Sequence, residues 1–87
     1  MESALSDRDR AILMAEMLFQ EKKAQGIDMS TGPCLAEEII PDWCVDVAHS
    51  PRQPADDAPQ NQCQSWVNGR VHHFVELDPE GNLIRAG

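Results

Sequence analysis

Trp66-Val67-Asn68-Gly69-Arg70-Val71 is the stretch that decides how the chain is read. Asn-Gly between two runs carrying Trp and Val supplies positive φ at both centres of a type I′ turn, so a two-residue β-hairpin is expected here. Register follows from that turn: Val67 faces Arg70, Trp66 faces Val71, Ser65 faces His72, Gln64 faces His73 and Cys63 faces Phe74. Downstream, Asp78-Pro79-Glu80-Gly81-Asn82 has Asp, Pro and Gly at the offsets of a type I turn with a glycine bulge, returning into Leu83-Ile84-Arg85-Ala86. Together the two turns predict a C-terminal β-meander. Val71, Val75 and Leu77 would share one face, with Phe74 and Ile84 on the other, so both faces need a cover.

Working upstream, residues 49–62 hold Pro51, Pro54 and Pro59 among Asp, Gln and Asn, which argues for a long exposed loop. Pro51-Arg52-Gln53-Pro54 has P-x-x-P spacing, a pattern short enough to arise by chance. Before the loop, Trp43-Cys44-Val45-Asp46-Val47-Ala48 alternates with period two. Trp43, Val45 and Val47 fall on one face of that strand, Cys44 and Asp46 on the other. Strands are therefore predicted at 43–48, 62–67, 70–77 and 83–86.

Ser6 followed by Asp7 and Asp9 reads as a helix start, and Lys22, Lys23 and Gly26 as its stop, giving a helix over 7–24. Asp9, Glu16, Gln20 and Lys23 form a narrow polar stripe on it. Ala11, Ile12, Met14, Ala15, Leu18 and Phe19 make a face that can cover a sheet, while Leu13 and Met17 project beyond the stripe. Either the loop or a second helix covers those two, or they form a self-association or partner-docking surface. Ser30-Thr31-Gly32-Pro33 precedes a predicted short helix over Cys34–Ile40, ended by Pro41, with a strand over Leu35–Ile40 as its rival. The fold expected is α+β: one long N-terminal helix and a short second helix packed on a three- to four-stranded antiparallel sheet, in a single domain over 1–87.

The net charge of −8 is concentrated between Asp28 and Asp57, where seven acids face only Arg52. Such a surface repels phosphate, which argues against nucleic acid and membrane partners. No apolar run is long enough to span a bilayer, and Met1-Glu2 leads into no basic-then-apolar leader. An odd cysteine count without an export signal predicts free thiols and a cytoplasmic setting.

All three cysteines and all three histidines lie between Cys34 and His73. His72 and His73, adjacent on a predicted strand, would point to opposite faces and could not share one ion. The predicted register instead sets His72 near Cys63. With Cys34 and Cys44 brought alongside, Cys34, Cys44, Cys63 and His72 would make a Cys3His set of the kind zinc accepts, although the spacing lacks a tight ligand pair. His49, near Cys44 and Asp46, sits at the loop mouth, where active sites often lie. A reactive thiol, with Cys34 at a helix start, is a third reading. No nucleophile elbow, phosphate loop or metalloprotease helix is present, so binding is expected rather than catalysis. The leading expectation is a protein-interaction module, homodimeric or docking a protein partner through Leu13 and Met17, needing no cofactor. A small zinc protein is the alternative.

Overall fold

The computed structural model describes residues 5–87. Helix α1 runs Asp7–Ala24, as its capping residues predict: the Ser6 hydroxyl accepts from the Asp9 N–H at 3.1 Å. At its other end Gly26 takes φ +88°, donating to Lys23 O while Ile27 donates to Lys22 O, a Schellman stop.

The segment predicted as a second helix is strand β1, Cys34–Ile40, paired antiparallel with β2, Trp43–Val47. Gly32 in the left-handed region and Pro33 open it, and Leu35 and Ile40 are buried in the core. Pro41 does not end a helix; it starts a tight turn. With Asp42 at φ +76°, Pro41-Asp42 suits the two central positions of a type II turn, so the hairpin of this fold lies here.

The hairpin expected at Asn68-Gly69 is absent. Gln64–Val67 forms a single helical turn, α2, and the strand predicted over 62–67 does not exist. Asn68 has φ −90°, whereas a type I′ turn needs positive φ at both centres. Gly69, at φ +78°, donates to Trp66 O, and Arg70 donates to Ser65 O. These are the two bonds of a second Schellman stop. Asn-Gly therefore ends a helical turn here instead of reversing a strand.

Two further strands, β3 at His73–Leu77 and β4 at Leu83–Ala86, form the antiparallel pair predicted around Asp78–Asn82. The Asp78 carboxylate accepts from the Glu80 and Asn82 N–H groups. Without a strand at 62–67 the meander is lost, and β3 pairs with β2 instead, in parallel. The four-stranded sheet has order β1-β2-β3-β4 and is mixed, not antiparallel throughout. A parallel pair requires a long crossover, and residues 48–72 supply it. Within that crossover the predicted loop contains two short 3-10 turns, Pro54–Asp57 and Pro59–Asn61.

Alternation along β2 works as predicted. Trp43, Val45 and Val47, with Val75 and Leu77 beside them, face α1, which contributes Ala11, Ala15 and Phe19 to the core. The alanines let the helix approach closely, and Phe19, fully buried, fills the gap up to Gly81. A Cβ at Gly81 would sit 2.8 Å from the Phe19 ring, and its φ of +93° also favours glycine. On the opposite sheet face Cys44, Cys63 and Val71 form a smaller cluster against Cys34 and Phe74.

Candidate functional site

The two sides of the fold leave two concave regions of opposite character. Along α1, Met14, Met17 and Leu18 stand beside Ala36 and Ile39 of β1, making an open apolar groove of about 440 Å³ with Glu21 at its rim. Neither loop nor second helix covers it: Met17 is 72% exposed and Leu13 49%. Of the two predicted docking residues, Met17 lines the groove, whereas Leu13 is exposed without lining it.

The far face of the sheet carries a cavity of about 290 Å³. Alternation puts Cys44 and Asp46 on this face of β2, and the parallel register sets them beside Phe74 and Glu76. Glu76, buried, is held on both oxygens: Oε1 accepts from Arg85 Nε at 2.9 Å and Oε2 from Arg52 Nη1 at 3.0 Å. Arg52, the lone base of the acidic stretch, also reaches Asp57 Oδ1 at 3.0 Å, so it ties the crossover to β3. Trp66 meets Phe74 edge-on, ring centroids 5.4 Å apart, at the mouth.

Asp46, half-buried, lies among these groups with no hydrogen bond or ion pair to any described residue, its carboxylate oxygens still reached by solvent. Burial, reinforced by the charge of Glu76, pushes its carboxyl up to about 7, against an ordinary 3.8. The native state thus keeps a proton that the unfolded chain has lost, and stability falls as pH rises between about 4 and 7. Asp56, Glu37 and Asp78 are held low by hydrogen bonds that outweigh their desolvation, so the stability they contribute is present above about pH 4.5 and is lost as pH falls below it. Asp46→Asn is expected to flatten the decline and raise the melting temperature at pH 7.5 relative to pH 4.5. Thermal melts of both proteins across that range measure it, and an unchanged slope in the variant removes the explanation.

The thiols depart from expectation. Cys34 and Cys63 form a disulfide, Cα atoms 5.0 Å apart, instead of standing as free thiols. Three further contacts lash the same segments together: Glu37 accepts from the Ser65 N–H (2.8 Å) and the Gln64 N–H (3.3 Å), and the Ser65 hydroxyl donates to Glu37 O at 2.6 Å. The last contact also blunts the exposed edge of β1. Cys44 stays free and buried; desolvation, then the Asp46 charge, push its thiol up to about 12, which leaves it inert near neutral pH.

The predicted Cys34, Cys44, Cys63 and His72 are not gathered in one place. The three sulfurs share a neighbourhood, but His72 is exposed and bonded through Nδ1 to Asp42 Oδ1 at 2.7 Å. Its predicted position opposite Ser65, near Cys63, vanished with the hairpin. His73 stacks on Trp43 at 4.7 Å, and its Nε2 lies 3.5 Å from the other Asp42 oxygen. The two imidazoles therefore meet one carboxylate despite their adjacency, because His72 precedes the strand. His49 is paired with Asp56, not with Asp46 or Cys44: Nδ1 lies 2.8 Å from Oδ1, and Oδ2 accepts from the His49 and Gln53 N–H groups. Asp56 thereby shapes the start of the crossover. Cys34, Glu37 and Cys63 are the one metal-spaced cluster among the described residues, and the disulfide takes both sulfurs.

No family model, curated protein or solved structure matches the chain. Among the described residues no helix is long and apolar enough to cross a membrane. The sequence alone does not mark Glu76, Arg85 or Glu37 as site residues. The Asp78–Asn82 turn carried a signal for one pair, since its hairpin places Arg85 across from Glu76.

Proposed function

We propose that the chain is a protein-binding module that docks a basic, apolar-faced segment of a partner protein in the groove between α1 and β1. The observation that carries this reading is Met17, 72% exposed on an ordered helix beside Met14, Leu18, Ala36 and Ile39. Methionine adapts its shape to varied apolar partners, which suits a groove of this kind. The net charge of −8, with Glu21 at the rim, favours a basic partner and works against a second copy of the chain. Self-association is accordingly the secondary reading.

A lysine- and leucine-built amphipathic peptide is the probe, with binding followed by calorimetry and oligomeric state by light scattering at micromolar concentration. Removing a buried methionine from an interface costs about 1.5–3 kcal/mol, so Met17→Glu is expected to weaken peptide binding roughly tenfold or more while the protein stays monomeric. A dimer disrupted by Met17→Glu would favour the second copy. Peptide affinity and oligomeric state both indifferent to that charge would end the docking reading. The redox state of Cys34 and Cys63 after rapid alkylation in cells reports the compartment, since a reducing cytoplasm would hold the pair as thiols.

A further inference from the structure

The cavity on the far face of the sheet is lined by four carboxylates, Asp46, Asp56, Asp57 and Glu76, and two guanidinium groups, Arg52 and Arg85. Their partners can be counted. Glu76 has Arg85 on one oxygen and Arg52 on the other; Asp57 has Arg52; Asp56 has the His49 ring on one oxygen and two backbone N–H groups on the other. Arg52 is thereby engaged through both Nη groups, and Arg85 through Nε, its Nη groups making no bond to a described residue. Asp46 alone is left facing the cavity without a partner among the described residues, in a setting with two more acids than bases.

That remainder selects the chemistry of a guest. An anion would meet an acidic excess, with Arg52 committed to Glu76 and Asp57 and Arg85 tied to Glu76 through Nε over the Phe74 ring. A metal ion needs several free ligand atoms, and the one metal-spaced cluster among the described residues, Cys34, Glu37 and Cys63, does not include Asp46. An ammonium group needs one free carboxylate and tolerates an aromatic face beside it. Phe74 already carries the Arg85 guanidinium 5.6 Å from its ring centre, and Trp66, half exposed at the mouth, offers the neighbouring ring. The volume, about 290 Å³, lies at the lower end of ligand sites, which fits a small molecule with a short apolar body.

We infer that this cavity binds a small primary amine, its ammonium on Asp46 and its apolar body against Trp66. The site is separate from the α1–β1 groove, and the two readings stand or fall independently. The groups around Asp46 are Cys44 on its own strand, Glu76 on β3, Arg85 on β4, and Arg52, Asp56 and Asp57 from the crossover. Before binding, Asp46 holds its proton through much of the range below neutrality; the arriving ammonium stabilises the carboxylate, and the proton leaves to solvent. Binding therefore strengthens as pH rises toward neutrality and releases up to one proton.

Calorimetry with butylamine and phenethylamine, against 2-phenylethanol and phenylacetate, tests this on the intact chain. The amines are expected to bind at least roughly tenfold more tightly than the alcohol, with no measurable binding of the carboxylate. At pH 6, heats in two buffers of different ionisation enthalpy should report proton release. Asp46→Asn should lose the preference for amine over alcohol, and Trp66→Ala should weaken phenethylamine more than butylamine, while both variants keep a cooperative melt. Failure of both amines to bind at millimolar concentration, equal binding of amine and alcohol, or an unchanged preference in Asp46→Asn overturns the assignment. Met17→Glu should leave amine binding untouched.

Discussion

Breaking the Cys34–Cys63 link, by reduction or by a Cys34→Ala/Cys63→Ala double replacement, is expected to lower the unfolding free energy by about 3–4 kcal/mol. The bond closes a loop with a sequence separation of 29, and the chain-entropy cost it removes from the unfolded state has that size. Domains of this length have only about 5–15 kcal/mol to lose. The corresponding fall in melting temperature is about 15–25 °C. Urea titrations with and without a phosphine reductant give the difference directly. A change within experimental scatter would mean that the Glu37 and Ser65 bonds hold the two segments alone. Cys44, close by in the same cluster, should neither rescue nor scramble the bond, because its thiol stays protonated near neutral pH.

Phe19→Ala should be comparably damaging. The ring is fully buried between α1, the sheet and Gly81, and Ala11 and Ala15 on the same helix face are too small to fill the space it would vacate. Truncating a buried Phe to Ala costs about 3–5 kcal/mol, whereas Phe19→Leu should cost about 1–2 kcal/mol. Denaturant midpoints of the two variants separate cavity formation from general intolerance at the position. A loss below about 1 kcal/mol for Phe19→Ala would mean that the helix slides to close the gap.

Local chemistry made α1 legible: Ser6, the flanking charges and Gly26 act within a turn or two of the chain. The β3–β4 hairpin was readable for the same reason, since Asp78 and Gly81 organise their own turn. Gly26 and Gly69 carry the same bonding pattern in the structure, yet only Gly26 reads from the sequence as a helix stop. Preceded by Asn68 and flanked by Trp66 and Val71, Gly69 also matched a hairpin. What separates the two outcomes is distant: Glu37 and Cys34, about thirty residues upstream, pin Cys63–Ser65 against β1, where a strand over 62–67 cannot form.

The candidate site was readable in the same uneven way. Alternation put Asp46 and Cys44 on the face they occupy, and Met17 was identified as an outlying apolar residue. The neighbours that give Asp46 its character were not readable, because Glu76 comes beside it only through a parallel pairing that no turn between β2 and β3 encodes. An odd cysteine count also hid the disulfide, since one buried thiol is compatible with a bonded pair.

Cys34 lies before the exposed Pro-rich crossover and Cys63 after most of it, so every peptide bond between them sits inside a covalently closed loop. A protease that nicks residues 50–60 would therefore leave the two hairpins, β1–β2 and β3–β4, in one molecule. Such a nick would free Arg52 from one side of its anchorage while the sheet stayed assembled. Limited proteolysis thus gives access to a two-chain form of this protein, running as one species without reductant and as two fragments with it.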